Sequence, residues 1–261
     1  MSTPSLLRRD VLGLPVSVTS YVQLASLLQG RLEAETTTVA FCNVHTVMSA
    51  RRQERLSAVL SEFDVTAPDG MPLVWALRHL YNVSADRVHG PTCMRYLIDH
   101  GQAVGWRHFL LGSTPETLRA LKSAIGRMFP EAEVAGSFAP PFEPLTKGDL
   151  DEITDAIRQA KANFVWVGLG MPKQELLIDE IRHRLRGAAL LGVGAAFDLL
   201  AGNQPEAPDW MKKRGLEWVY RLAHEPGRLW RRYVIDNPLF MFLLARELLS
   251  RRIEALRSRA S

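Results

Sequence analysis

The chain has 261 residues, of which 47% are hydrophobic and 23% charged, the composition of a soluble globular protein able to bury a sizeable core. Disordered and collagen-like classes are excluded, and two cysteines, Cys42 and Cys93, are too few for a disulfide scaffold or a four-cysteine zinc site. The formal net charge of +4 is unevenly placed: residues 211–261 carry twelve Lys/Arg against five Asp/Glu, a net of +7, leaving −3 for the rest. A cationic C-terminal fifth suggests a polyanionic partner: nucleic acid, anionic lipid or a phosphorylated ligand.

Met1–Pro15 places Arg8, Arg9 and Asp10 before a short apolar stretch, without the features of a signal peptide, and the two cysteines read as buried small hydrophobes in a reducing compartment. No apolar run reaches the roughly 20 residues that span a bilayer, so a cytoplasmic location is expected. Strands are expected at Val39–Cys42, Val65–Ala67, Phe109–Leu111, Glu133–Ala135, Phe164–Val167 and Ala189–Val193, with helices between them. Continuous apolar strands are buried on both faces, which implies a mostly parallel α/β sheet with helices on each side. Thr114 and Pro115 read as the N-cap and first residue of a helix carrying Leu118, Leu121, Ile125 and Met128. Pro140–Pro144 reads as a connecting loop. Asp149-Leu150-Asp151 opens a helix instead of closing an apolar strand, so it reads as charge capping and not as a metal motif.

In such sheets ligands bind beyond the carboxyl ends of the strands. Two loops there, Gly168-Leu169-Gly170 and Gly192-Val193-Gly194, lack the third glycine of a dinucleotide fingerprint, with Lys173 and Phe197 in its place. Each still joins a strand to a helix and offers backbone N–H groups to phosphate. Asp69, between Pro68 and Gly70, puts a carboxylate at the same rim, where it reads as a candidate general base or as plain turn chemistry. His45, His79, His89 and His224 form no ligand spacing and read as surface or core residues. No Gly-x-Ser-x-Gly, His-Glu-x-x-His or Walker A sequence occurs.

From Trp210 the chain is expected to be helical, with breaks at Pro226 and Pro238. Leu239–Leu256 sets Phe240, Leu243, Leu244, Leu248 and Leu249 beside Arg246, Arg251 and Arg252, a basic amphipathic helix. Such a helix lies on a membrane surface, or packs on the sheet or on a partner subunit. The expected division is a catalytic α/β domain over 1–205 and a helical appendage over 206–261.

Gly168-Leu-Gly-Met-Pro-Lys-Gln-Glu175, Gly192-Val-Gly-Ala-Ala-Phe-Asp198, Ala207-Pro-Asp-Trp-Met211, Gly215-Leu-Glu-Trp218, Arg221-Leu222 and Glu225-Pro226 together resemble the TagA/WecG/CpsF glycosyltransferases, glycosyltransferase family 26. The likeness runs from about Val39 to Pro238 and includes Asn43, Asp69-Gly70 and Arg87-Val88-x-Gly90. It implies a Rossmann-like fold of the GT-E type and an inverting, metal-independent, membrane-associated enzyme. Such an enzyme moves a hexose or N-acetylhexosamine from a UDP-sugar to a polyprenyl-diphosphate-linked sugar in surface-polysaccharide synthesis. By that resemblance Asp69 is the general base and Arg87 a substrate-binding arginine. By the same resemblance Asn43, Gln174 and Asp198 line the pocket and Arg221, Arg228 and Arg231 close over the diphosphate, beside the loops whose Gly168, Gly170 and Gly194 are read above as phosphate-contacting. No cofactor is implied. The implied partners are a UDP-sugar donor, a lipid-linked saccharide acceptor and the anionic inner face of the cell membrane met by the C-terminal helix. A homo-oligomer is left open, and nucleic acid is not expected.

Three positions depart from the family pattern: Phe41 replaces a usual Thr, Glu206 a usual Arg and Thr92 a frequent acid. Other classes fit less well. A nicotinamide-dependent oxidoreductase would carry the full glycine fingerprint, and a nucleic-acid-binding protein a recognisable reader motif.

Overall fold

The computed structural model describes residues 6–32, 34–142, 144–208, 210–211 and 217–260. An N-terminal hairpin of β1 (Arg8–Val11) and β2 (Leu14–Ser17) leads into α1 (Tyr21–Arg31). Then come β3 (Thr37–Cys42), α2 (Val44–Arg52), α3 (Glu54–Glu62), β4 (Val65–Pro68), α4 (Met71–Tyr81), α5 (Gly90–Gln102) and β5 (Arg107–Gly112). They are followed by α6 (Pro115–Met128), β6 (Glu133–Phe138), α7 (Lys147–Gln159), β7 (Phe164–Gly168), α8 (Lys173–Arg182), β8 (Ala189–Gly192) and α9 (Ala196–Ala201). The C-terminal part holds α10 (Glu217–His224), α11 (Pro226–Arg231), a π-helical turn (Arg232–Asp236) and α12 (Asn237–Ala260).

All six expected strands form one parallel sheet in the order β4-β3-β8-β7-β5-β6. Every residue of β3, β4 and β8 is buried, the outcome of apolar runs covered on both faces. Alternate side chains serve two cores. Ala40, Cys42, Val165 and Val167 join α2, α3, α4, α7 and α8, while Val39, Phe41, Phe164 and Trp166 join α1, α5, α6 and α9. Thr114 caps α6 ahead of Pro115 as expected. Asp149 belongs to a capping box: Thr146 is the N-cap, and Asp149 returns a bond to its backbone N–H at 2.7 Å.

The β1–β2 hairpin was not legible beforehand. Its two-residue turn puts Leu12 at φ 55° and Gly13 at φ 92°, the left-handed pair that hairpin turns require, with Leu where Asn or Asp is usual. The hairpin buries Val11, Leu14 and Val16 and covers the free edge of β4, where Ser17 Oγ accepts the Thr66 N–H at 3.1 Å.

Pro238 does not break the C-terminal helix as expected. The preceding π turn, closed by Asn237 N–H to Arg232 O, widens the backbone where a proline ring would otherwise clash with the preceding turn. On α12, Phe240 and Leu244 are buried in the core shared with α2 and α4, so this helix is part of the sheet domain's packing. Each such side chain contributes about 1.5–3 kcal/mol. The opposite face exposes Met241, Phe242, Leu249, Ile253 and Leu256 with Arg246 and Arg252. Arg251 instead turns inward, donating to Leu80 O and Tyr81 Oη and lying over the Tyr81 ring at 4.6 Å. No helix among the described residues is long and apolar enough to cross a membrane.

Candidate active site

The end of β4 is built around Asp69. Its N–H donates to Cys42 O at 2.8 Å, which locks the turn onto the end of β3. Arg87 Nε donates to the Asp69 carbonyl at 2.6 Å, and the Arg87 Nη2 stands 3.6 Å from Asp69 Oδ1. The next residue, Val88, donates its N–H to Pro68 O at 2.9 Å, so the segment before α5 is stitched along the β4 terminus. Asp69 Oδ1 is buried and accepts no hydrogen bond among the described residues. Asn43 caps α2 in a capping box with Thr46, and its Cβ lies 3.5 Å from where a Cβ on Gly70 would stand. Asn43, Asp69 and Arg87 are thus brought to one corner of the rim.

Tyr21 joins this corner and was missed in the sequence, where nothing marks it beyond its place at the start of α1. Its hydroxyl accepts the His89 N–H at 3.0 Å. Burial pushes its phenol pKa up, the His89 bond opposes this, and Cys93 and Asp69 add to the rise, which sets Tyr21 within electrostatic reach of Asp69. Phe41, the replacement for Thr, is buried and packs on Gly90 at the start of α5.

The glycine loops after β7 and β8 form a second cluster, on strands two and three places from β4. At strand spacing, that is roughly 10 and 14 Å along the rim. A Cβ on Gly168 would stand 2.5 Å from the Phe197 ring, so the absent side chain at 168 is what admits Phe197 where a third fingerprint glycine would be. Gly170 has φ +73°, a conformation that suits glycine. Gln174 is buried between the loops. Its Oε1 accepts the Gly170 N–H at 3.1 Å, its Nε2 donates to Glu175 Oε1 at 2.9 Å, and its side chain lies against Gly192 and Gly194. Gln174 therefore braces the loops.

Asp198 lies in the first turn of α9 on the α5–α6 side, where Asn203 Nδ2 donates to its Oδ1 at 3.3 Å and to Thr117 Oγ1 at 3.1 Å. In the C-terminal part, Arg221 is half-buried on α10, and the exposed Arg231 lies over the Trp230 ring at 5.4 Å. Neither pairs with a residue of the glycine loops among the described side chains. The Arg228 side chain lies outside the described residues. Glu206, the replacement for Arg, is ion-paired with Arg95 of α5. His89 Nδ1 bonds Thr92 Oγ1 at 3.0 Å.

His45, read as a bland residue, is half of a latch. Its Nδ1 donates to Asp236 Oδ2 at 2.8 Å, and Arg52 donates to Asp236 Oδ1 at 2.8 Å, tying the π turn to α2. Burial tends to raise the Asp236 carboxyl, but the bonds from Arg52 and His45 outweigh it and hold the group below its ordinary value. Burial also lowers the His45 imidazole, only partly opposed by Asp236, so the neutral ring serves as donor.

Among the described residues no group of three or more His, Cys, Asp or Glu is placed to hold a metal ion. Two open grooves lie off the rim: about 490 Å³ beside Leu12, Arg51 and Arg52, and about 540 Å³ at the amino ends of β7 and β8 beside Lys161 and Arg186.

A model of the glycosyl transferase WecG/TagA/CpsF family matches residues 9–254 of this chain. The chain belongs to that family. It is similar to an N-acetylglucosaminyldiphosphoundecaprenol N-acetyl-beta-D-mannosaminyltransferase of Bacillus spizizenii W23, 32% identical over 183 residues, 70% of this chain and 69% of the relative. The Bacillus subtilis 168 protein of the same name is 30% identical over 189 residues, covering 72% and 71%. A Staphylococcus aureus MW2 relative of that name is 25% identical over 240 residues, covering 91% and 92%. The chain is a glycosyltransferase. In this family member the Asp69 corner and the braced glycine loops occupy one rim, the place where a parallel sheet binds ligands.

Proposed function

We propose that this glycosyltransferase moves a hexose or N-acetylhexosamine from a UDP-sugar to a polyprenyl-diphosphate-linked sugar, with inversion and without a metal. The observation that carries the reading is Asp69: a carboxylate at the rim, positioned by Arg87 and by Cys42 O, with Oδ1 unclaimed by any hydrogen bond among the described residues. The relatives' names support the acceptor class, since each specifies a diphosphoundecaprenol-linked N-acetylglucosamine.

In the reaction an acceptor hydroxyl gives its proton to Asp69 as its oxygen forms a bond to the donor anomeric carbon. The bond from that carbon to the UDP oxygen breaks on the opposite face, and the electron pair leaves with UDP. The Gly170, Val193 and Gly194 N–H groups are already bonded within the fold, so charge growing on the diphosphate meets the positive N-terminal end of α8 beside these loops and the cationic appendage, where Arg221, Arg228 and Arg231 are the proposed neutralisers. The span from Asp69 to the loops suits a sugar with its diphosphate. The exposed apolar and arginine face of α12 supports a peripheral position on an anionic membrane, where a lipid-linked acceptor resides.

Asp69→Asn keeps the shape of the side chain and removes its basicity. Turnover of a UDP-sugar with a lipid-linked acceptor is expected to fall by about 10²–10⁴ with the melting temperature unchanged. Near-normal turnover would remove Asp69 from the chemistry, and a product of retained anomeric configuration would overturn inversion.

A further inference from the structure

Below the glycine loops lies a buried acid that the chemistry above does not use. Glu175, in the first turn of α8, is 2% exposed. Its Oε1 accepts from Gln174 Nε2 at 2.9 Å, and its Oε2 is buried with no hydrogen-bond partner among the described residues. No described cation pairs with it. Helix α8 packs on α3, α7, β3, β7 and β8. Strands β7 and β8 carry no titratable side chain, and β3 contributes the Cys42 thiol, with Asp69 beyond it and Arg8 of the hairpin acting on the same thiol. The charged residues of α3 and α7 lie at the surface or in the α7 cap.

An isolated carboxylate in such a place is costly, and the group answers by keeping its proton. Burial pushes the Glu175 carboxyl up to about 7, against the opposing bonds from Gln174 and from its own backbone N–H. The proton belongs on Oε2, because Oε1 already receives an N–H. From there the connections run outward: Glu175 holds the Gln174 amide, and Gln174 holds the Gly170 N–H between both loops. A diphosphate seated on those loops adds negative charge next to this relay and makes ionisation of Glu175 harder still.

We propose that Glu175 is a positioning residue that works as the neutral acid, so that a diphosphate enters the glycine loops together with a proton on Glu175. The inference rests on the reading of these loops as the diphosphate site.

Calorimetric titration of UDP into the full chain, in two buffers of different ionisation enthalpy, counts the protons taken up. Between about pH 7.5 and 8.5, above the phosphate's own titration near 6, the wild-type Kd is expected to rise about tenfold with net proton uptake. Glu175→Gln, which cannot ionise, is expected to show neither the rise nor the uptake. UDP binding with no proton uptake by wild type, or equal pH profiles in both proteins, overturns the role of Glu175 and leaves the diphosphate site standing. Absence of UDP binding by both proteins at every pH overturns the diphosphate reading and this inference with it. Should the Gln variant fold poorly, the wild-type proton count decides alone.

Discussion

Asp69, Glu175 and His108 are titratable residues in two contrasting settings. Asp69 is half-buried and keeps a counter-charge in Arg87, whereas Glu175 and His108 are buried without one. His108 on β5 accepts the Trp166 indole N–H at Nδ1, 3.2 Å away, and its Nε2 has no partner among the described residues. Burial lowers its imidazole to about 4, against about 6.5 in an unfolded chain. The folded-state value is depressed, so the stability it confers is complete above about pH 6.5 and is lost as pH falls toward 4. The loss is on the order of 3 kcal/mol. His108→Gln keeps an acceptor for Trp166 and cannot charge, so melting curves at pH 5 and 7 are expected to lie closer together for the variant than for wild type. The Asp69 turn was legible in the sequence because strand, turn and carboxylate are contiguous. Glu175 stood in a recognised motif, but its burial beneath Gln174 is a property of the packed loops.

At the level of elements, the six strands were readable because a doubly covered strand is an unbroken apolar run, and β3, Thr37–Cys42, is the clearest case. The hairpin was not readable, since Leu12 carries none of the turn chemistry that marks a hairpin. The π turn was hidden for another reason: Pro238 signals a break, and only a widened helical turn converts that break into continuity. The loop after β7 is fitted to α9 through Gly168 and Phe197. Gly168→Ala brings a Cβ within 2.5 Å of the Phe197 ring, and the ring or the strand must shift. A destabilisation of about 1–3 kcal/mol is expected in denaturant unfolding. Adding Phe197→Leu should recover part of it, and strictly additive losses would show that the two sites do not share this contact.

Across the whole molecule, the uneven charge resolves into two uses of the C-terminal part. Arg251 and Asp236 face inward, to Tyr81 on α4 and to His45 and Arg52 on α2, and anchor α12 on the body. Arg246 and Arg252 face outward with Phe242, Leu249 and Ile253. Deleting Leu239–Ser261 would also strip Phe240 and Leu244 from the core, so outward-facing substitutions make the cleaner test of membrane docking. Sedimentation with anionic vesicles is expected to weaken by about 1 kcal/mol, roughly fivefold, for each of Arg246→Gln and Arg252→Gln. Arg251→Gln should instead lower the melting temperature. Vesicle binding that is unchanged in the double variant would overturn the membrane role of this face.

The sequence by itself determined the parallel sheet, the loops gathered at its carboxyl rim and the motifs that mark the family. Apolar periodicity, turn residues and short motifs are local, and they survive as patterns in one dimension. Tertiary structure alone decided which charges meet. His45 and Asp236 are 191 residues apart in sequence, and Arg95 and Glu206 are 111 apart. The burial that pushes the Glu175 carboxyl up likewise exists only once α8 is packed against the sheet. Such pairings follow from chain path and desolvation, and neither is written in the spacing of residues.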